Sequence, residues 1–176
     1  MSFENQRNSK RNQLKLTCLT GLFAALVFVV TAYLQVPTHN GYVHFGDAFI
    51  FLAACFLPMP YSICVGAVGA VLADLLTGFA IWAPGSAVIK ALAAMLFSCR
   101  GRKILTARNL WMLLPAAAIS IVGYYLYEAL ITGSLIAALA GIPSLIVQAV
   151  ASSIVFVVAG VAMDKFELKK KYSTWV

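Results

Sequence analysis

Short polar or proline-bearing breaks divide this chain into long apolar runs. Several of these reach the roughly 20 residues that cross about 30 Å of hydrocarbon at about 1.5 Å per residue. Spanning helices, rather than the buried core helices of a soluble fold, are the expectation. With 62% hydrophobic and 11% charged residues and a mean hydropathy of +0.90, little chain remains for a soluble domain. Loop signals place six spans, at residues 16–34, 47–57, 61–76, 84–99, 110–131 and 143–163. The predicted fold class is an all-α integral membrane protein with six transmembrane helices. The second run is short for a crossing, and Pro58-Met59-Pro60 is a minimal connection. Spans two and three therefore form a tight hairpin, whose first helix is tilted or begins inside a protein-lined cavity.

The formal charge of +7 raises the question of nucleic acid, but the basic residues flank apolar runs instead of forming a patch. Arg7, Lys10, Arg11 and Lys15 precede the first span; Arg100, Arg102, Lys103 and Arg108 separate the fourth from the fifth; Lys165, Lys169, Lys170 and Lys171 follow the sixth. Of the 13 Lys and Arg, all but Lys90 then fall on one side, with both termini, and the positive-inside rule makes that side cytoplasmic. This divides the chain into a basic cytoplasmic N-terminus (1–15), one membrane domain (16–163) and a basic cytoplasmic tail (164–176), in the cell membrane. The stretch 16–34 reads as a retained helix, since it is long enough to span and no small-residue cleavage site follows it. No internal repeat is visible, and nucleic acid is not an expected partner.

Chemistry concentrates in a few positions. Asp47, Asp74, Lys90 and Glu128 lie within or at the ends of apolar spans, where a charge costs about 2.5–3.5 kcal/mol at a helix centre, so each implies a partner or a polar cavity. The expected topology puts all four toward the external half, with Lys90 in reach of one of the acids, either as a buried ion pair or as part of a ligand pocket opening outward. Tyr33, Tyr42, Phe45, Trp82, Tyr124, Tyr125 and Tyr127 gather at the same level. An interfacial belt accounts for Tyr and Trp at helix ends. Tyr124, Tyr127 and Glu128, spaced three and four apart, instead form a polar-aromatic stripe suited to a flat heterocycle, which stacks on rings while the carboxylate accepts its N–H or O–H groups.

The other signals are mostly negative. His39, His44 and Asp47 are too few for a convincing metal site. Cys18, Cys55, Cys64 and Cys99 have no ligand spacing and read as small hydrophobes. There is no phosphate loop, no H-E-x-x-H and no G-x-S-x-G, so the chain is not read as an enzyme and no cofactor is expected; any ATP-driven step belongs to another chain. On the first helix Gly21 and Ala25, four apart, leave a shallow strip for the close approach of another helix, while Gly66, Gly69, Ala70 and Ala73 serve internal packing on the third.

The stretches GYVHFGDAFIFLAACFLP at 41–58 and PYSICVGAVGAVLADLLTG at 60–78 resemble the substrate-binding S components of energy-coupling factor (ECF) transporters, nearest their riboflavin-type group. In that family a Gly-Asp opens the second helix, a proline turn follows, and a Gly- and Ala-rich third helix ends near an Asp. The resemblance implies a subunit that captures a micronutrient outside, while a membrane coupling protein and two ATPase subunits drive its release inside. Family members meet the coupling protein through an Ala-x-x-x-Ala strip, which here reads Gly21 and Ala25, a departure at the first position. Nickel and cobalt binders of the family carry His at position 2, where this chain has Ser.

The expected substrate is a small heterocycle of riboflavin-like, pyridoxine-like or 7-deazaguanine type, neutral or amine-bearing because three acids face one base. Its expected contacts are Tyr42, His44, Asp47, Trp82, Lys90, Tyr124, Tyr127 and Glu128. The alternative is a stand-alone facilitator or proton-coupled carrier in which Asp74, Lys90 and Glu128 relay protons.

Overall fold

The computed structural model describes residues 3–38 and 41–173. It is a helical bundle: α1 (Phe3–Tyr33), α2 (Gly46–Phe56), α3 (Met59–Leu76), α4 (Ala83–Met95), α5 (Ala107–Trp111), α6 (Leu113–Thr132), α7 (Leu135–Ala138), α8 (Ile142–Lys165) and α9 (Leu168–Ser173). A two-stranded antiparallel hairpin, β1 (Gln35–Thr38) and β2 (Gly41–His44), joins α1 to α2, with Gln35 opposite His44 and Val36 opposite Val43. The all-α expectation needs this one amendment. Valine and tyrosine favour a pleated pair, and Pro37 is tolerated because both strands of such a ribbon are edges.

Four stretches are long and apolar enough to cross a membrane: Arg7–Tyr33, Met59–Leu76, Ala107–Thr132 and Leu135–Lys165. Gly46–Phe56 and Ala80–Met95 are apolar but shorter. The surface inverts the rule for soluble proteins. Leu22, Leu76, Leu114, Leu130, Ile154 and Val158 face outward, while Asp47, Asp74, Lys90, Asn109, Gln148 and Ser152 are buried. Apolar solvent outside and hydrogen-bonded polar groups inside is the pattern a bilayer imposes.

The shortness of α2 has a packing explanation. Nine of its eleven residues are buried, among them Ile50, Phe51, Leu52, Ala53, Ala54 and Cys55, because α1, α3, α4 and α8 surround it. A helix that is apolar all round belongs in a core. Phe51, Phe97 and Phe156 form the centre of that core, with ring centroids 4.5–6.0 Å apart. Since α2 is preceded directly by the hairpin and packed on every side, it can be shorter than a helix that faces lipid. The Pro58 turn leads directly into α3, whose Pro60 sits in the first helical turn, where a missing N–H costs no hydrogen bond.

Helix α3 packs along both α1 and α4. Gly69 makes the first contact possible, since a Cβ there would come within 2.8–2.9 Å of Val27 and the Ala24 carbonyl. A neighbouring strip of α1 is uncovered: Gly21 and Ala25 are exposed, and nothing stands within 4 Å of the place a Gly21 side chain would occupy.

The basic end is tied by polar bonds. Asp164 of α8 accepts from the N–H groups of Ile104 and Leu105 at 2.7 and 3.0 Å, and Asn109 donates to the carbonyls of Ser98 and Ile104. The basic N-terminus continues α1 from Phe3 on, and much of the basic tail is taken up by α9. Helix propagates into such polar segments cheaply once the adjoining span has nucleated it.

Candidate functional site

Opposite charges meet in the middle of the bundle. Asp47 stands in the first turn of α2, where free N–H groups and the helix dipole favour a carboxylate. Lys90 projects from α4, and its Nζ lies 2.7 Å from Asp47 Oδ1, with the two side chains 2% and 4% exposed. Gln148 of α8 donates its Nε2–H to Asp47 Oδ2 at 3.2 Å. One carboxylate is thus gripped from two further helices, which compensates charges whose desolvation otherwise costs several kcal/mol each.

Aromatic rings adjoin the pair. Lys90 Nζ lies 4.8 Å from the ring centroid of Tyr124, a cation–π distance, and the Tyr124 hydroxyl shares a 2.9 Å hydrogen bond with Ser86 of α4. Trp82, in the short 3₁₀ turn before α4, leans on Tyr124 and Tyr127 with centroids 6.1 and 5.9 Å away. The Tyr127 hydroxyl donates to the Ile81 carbonyl at 2.9 Å. Gly85 is required here, because a Cβ would come within 2.6 Å of the Tyr127 ring.

The hairpin closes over this group. His44 is buried, its Nδ1 accepts from the Gly46 N–H at 3.1 Å, and its carbonyl accepts from the Ser152 hydroxyl at 3.4 Å. Burial pushes the imidazole pKa down to about 4; Asp47 opposes the shift and Lys90 adds to it. The ring is therefore neutral through the physiological range.

The structure brings His44, Asp47, Trp82, Lys90, Tyr124 and Tyr127 into one connected group. Glu128 stands apart from the ion pair: it is partly exposed, with its carboxylate against Gly141 at the start of α8. The side chain of Tyr42, and all of His39, lie outside the described residues. Tyr33 is 73% exposed and faces away.

Of the three acids expected within reach of Lys90, it is Asp47 that pairs with it, and not Glu128.

Gln148, Ser86, Ser120 and Ser152 were missed by the sequence reading. A glutamine inside the 24-residue apolar helix α8 was the available signal, since an amide at that depth needs a partner.

Over residues 11–165 the sequence matches the family described as ECF-type riboflavin transporter, S component. The chain belongs to this family. As an S component it is a substrate-binding, non-catalytic subunit of an ECF-type transporter. Its fold is also similar to a solved structure described under "Structure and mechanism of the S component of a bacterial ECF transporter", with a TM-score of 0.67 at 20% identity, covering 88% of this chain and 98% of that one. No curated protein matches the sequence.

Proposed function

We propose that this S component captures a neutral, flat, riboflavin-like heterocycle between the hairpin, α4, α6 and α8, and presents it for import. The observation that carries the reading is the Asp47–Lys90 pair at the foot of the Trp82, Tyr124 and Tyr127 rings. Together they offer stacking faces, hydrogen-bonding groups of both kinds and a net charge of zero. Tyr42 and Glu128 would complete the contacts from the outer rim. Pyridoxine-like and 7-deazaguanine compounds share the flat, hydrogen-bonding character and are the competitors to try.

In this reading all six apolar helices cross the plasma membrane, with α2 and α4 completed by the hairpin and the loops. Both termini lie in the cytoplasm beside the three basic clusters, the division of the chain is 1–15, 16–163 and 164–176, and the uncovered strip at Gly21 and Ala25 meets the coupling protein of a module with two ATPases. The relay alternative loses support, because Lys90 is engaged by Asp47 and Glu128 stands at the rim.

The test is a fluorescence titration of the purified protein with riboflavin, whose emission is quenched when its ring stacks on Trp or Tyr, followed by competition with pyridoxine and 7-deazaguanine. Saturable quenching lost in Trp82→Ala and Tyr124→Ala supports the reading. Absence of saturable quenching in the wild-type protein refutes it.

A further inference from the structure

The tail helix α9 is held against the connection between α4 and α5 by a polar clasp. Asp164, near the end of α8, takes the N–H groups of Ile104 and Leu105 with its two carboxylate oxygens, at 2.7 and 3.0 Å. Lys169 of α9 takes the neighbouring carbonyl: its Nζ donates to the Lys103 oxygen at 3.4 Å, and the residue is only 6% exposed. Between the acid and the base, Glu167 turns the chain in the left-handed conformation (φ 51°), which usually falls to glycine. A buried lysine and a left-handed glutamate are both unfavourable taken alone. What they achieve together is a fixed position for a six-residue helix that would otherwise fray.

The clasp unites two stretches of surface that lie 60 residues apart in sequence. Each sets exposed apolar side chains beside exposed cations. In the first, Trp111 and Leu114 are 68% and 65% exposed, and Arg102, Lys103 and Arg108 are exposed as well. In the second, Phe166 is 64% exposed and lies between the exposed Lys165 and Lys171 in sequence. The acids of the tail do not offset these cations, because Asp164 commits both oxygens to the loop and Glu167 pairs with Lys170 at 3.1 Å. Trp111 and Phe166 stand at the basic ends of two stretches long enough to cross a membrane, Ala107–Thr132 and Leu135–Lys165. Rings at that level lie at the edge of the hydrocarbon, and cations just beyond them stand at the depth of lipid phosphates.

We propose that this clasped surface of α5 and α9 binds the headgroups of anionic phospholipids. A phospholipid satisfies both kinds of side chain at once: its phosphate meets guanidinium and ammonium groups, and its acyl chains cover Trp111, Leu114 and Phe166. A docking protein would first have to lift lipid off those apolar side chains. Because the clasp fixes the spacing of cations that a frayed tail would leave variable, the preference for an anionic headgroup depends on Lys169, although Lys169 itself is buried.

The test titrates the full-length protein in detergent with phosphatidylglycerol and with phosphatidylcholine, and counts bound lipid by native mass spectrometry. Phosphatidylglycerol should bind the wild-type protein at least about tenfold more tightly. Arg108→Gln with Lys171→Gln should cut that preference at least about fivefold, and Lys169→Met, which removes no exposed cation, should do the same. Arg7→Gln with Lys10→Gln removes two exposed cations of α1 and should leave the preference within about twofold. Equal loss in the α1 variant means that net charge alone attracts the lipid and overturns the surface. A preference retained in folded Lys169→Met overturns the role of the clasp; if that variant does not fold, the Arg108→Gln and Lys171→Gln protein decides. Displacement of phosphatidylglycerol by inorganic phosphate would reveal a bare anion site and overturn the lipid assignment. A wild-type protein without any preference overturns it outright, and loss of cellular uptake in the Arg108→Gln and Lys171→Gln variant would then give the same cations to an acidic protein.

Discussion

The Asp47–Lys90 pair permits the sharpest test of how this bundle is held together. With Nζ and Oδ1 2.7 Å apart and both side chains almost wholly buried, Asp47→Asn strands an ammonium in the core and Lys90→Met strands a carboxylate. Breaking a buried pair from one side costs about 3–5 kcal/mol, so each single variant should lose most of the stability of a domain of ordinary margin. Asp47→Asn keeps an acceptor for the 3.2 Å bond from Gln148 and should suffer toward the lower end of that range. The double variant Asp47→Asn with Lys90→Met removes both charges, and a neutral pair of similar volume is often tolerated. It should therefore recover at least about 2 kcal/mol relative to the sum of the singles. The assay is unfolding in detergent followed by tryptophan emission and by the monodisperse fraction on gel filtration. Titration of the refolded double variant with riboflavin then separates structure from recognition. A folded double variant that has lost ligand affinity assigns the pair to the site, whereas unchanged affinity makes it a structural strut. If either single variant is as stable as the wild-type protein, the pair is not the buried contact seen here and the reasoning fails.

Other outcomes follow from the same geometry. Riboflavin phosphate should bind the wild-type protein at least tenfold more weakly than riboflavin, since Asp47 already neutralises Lys90 and leaves no spare positive charge for a phosphate, and Asp47→Asn should narrow that gap by leaving Lys90 uncompensated; an unchanged gap in the folded variant would place the phosphate outside the site. Gly21→Leu or Ala25→Leu should abolish uptake in cells while leaving the affinity of the purified protein within twofold, because this strip faces away from the bundle; equal loss of both would return it to internal packing. The His44 imidazole, followed by NMR, should titrate near pH 4 instead of 6.5. The neutral ring is retained above that point, and protonation as the pH falls through it costs Nδ1 its role as acceptor for Gly46; titration near 6.5 would show that the hairpin does not bury it.

The linear order of residues carried the solvent and the family. Runs of Leu, Val, Ala and Ile with few charges inside them have no aqueous fold available to them, and the three basic clusters bias one set of loops. The Gly46-Asp47 start of α2, the Pro58 turn and the small residues of α3 were legible because each is a local signal, tied to a helix N-terminus, a tight turn or close helix contact. Partnership was not local. Asp47 and Lys90 lie 43 positions apart, and Asp47 and Gln148 lie 101 apart. Which acid meets the base depends on how deep α2 sits, and that depth follows from burying an eleven-residue helix on every side beneath a hairpin that no periodicity announced. Serines 86, 120 and 152 look like small helix-packing residues in the sequence. Only the crossing of α4, α6 and α8 turns one toward Tyr124, one into the cleft between α6 and α8 and one toward the hairpin, because helix packing, and not residue type, decides which hydroxyls meet a partner.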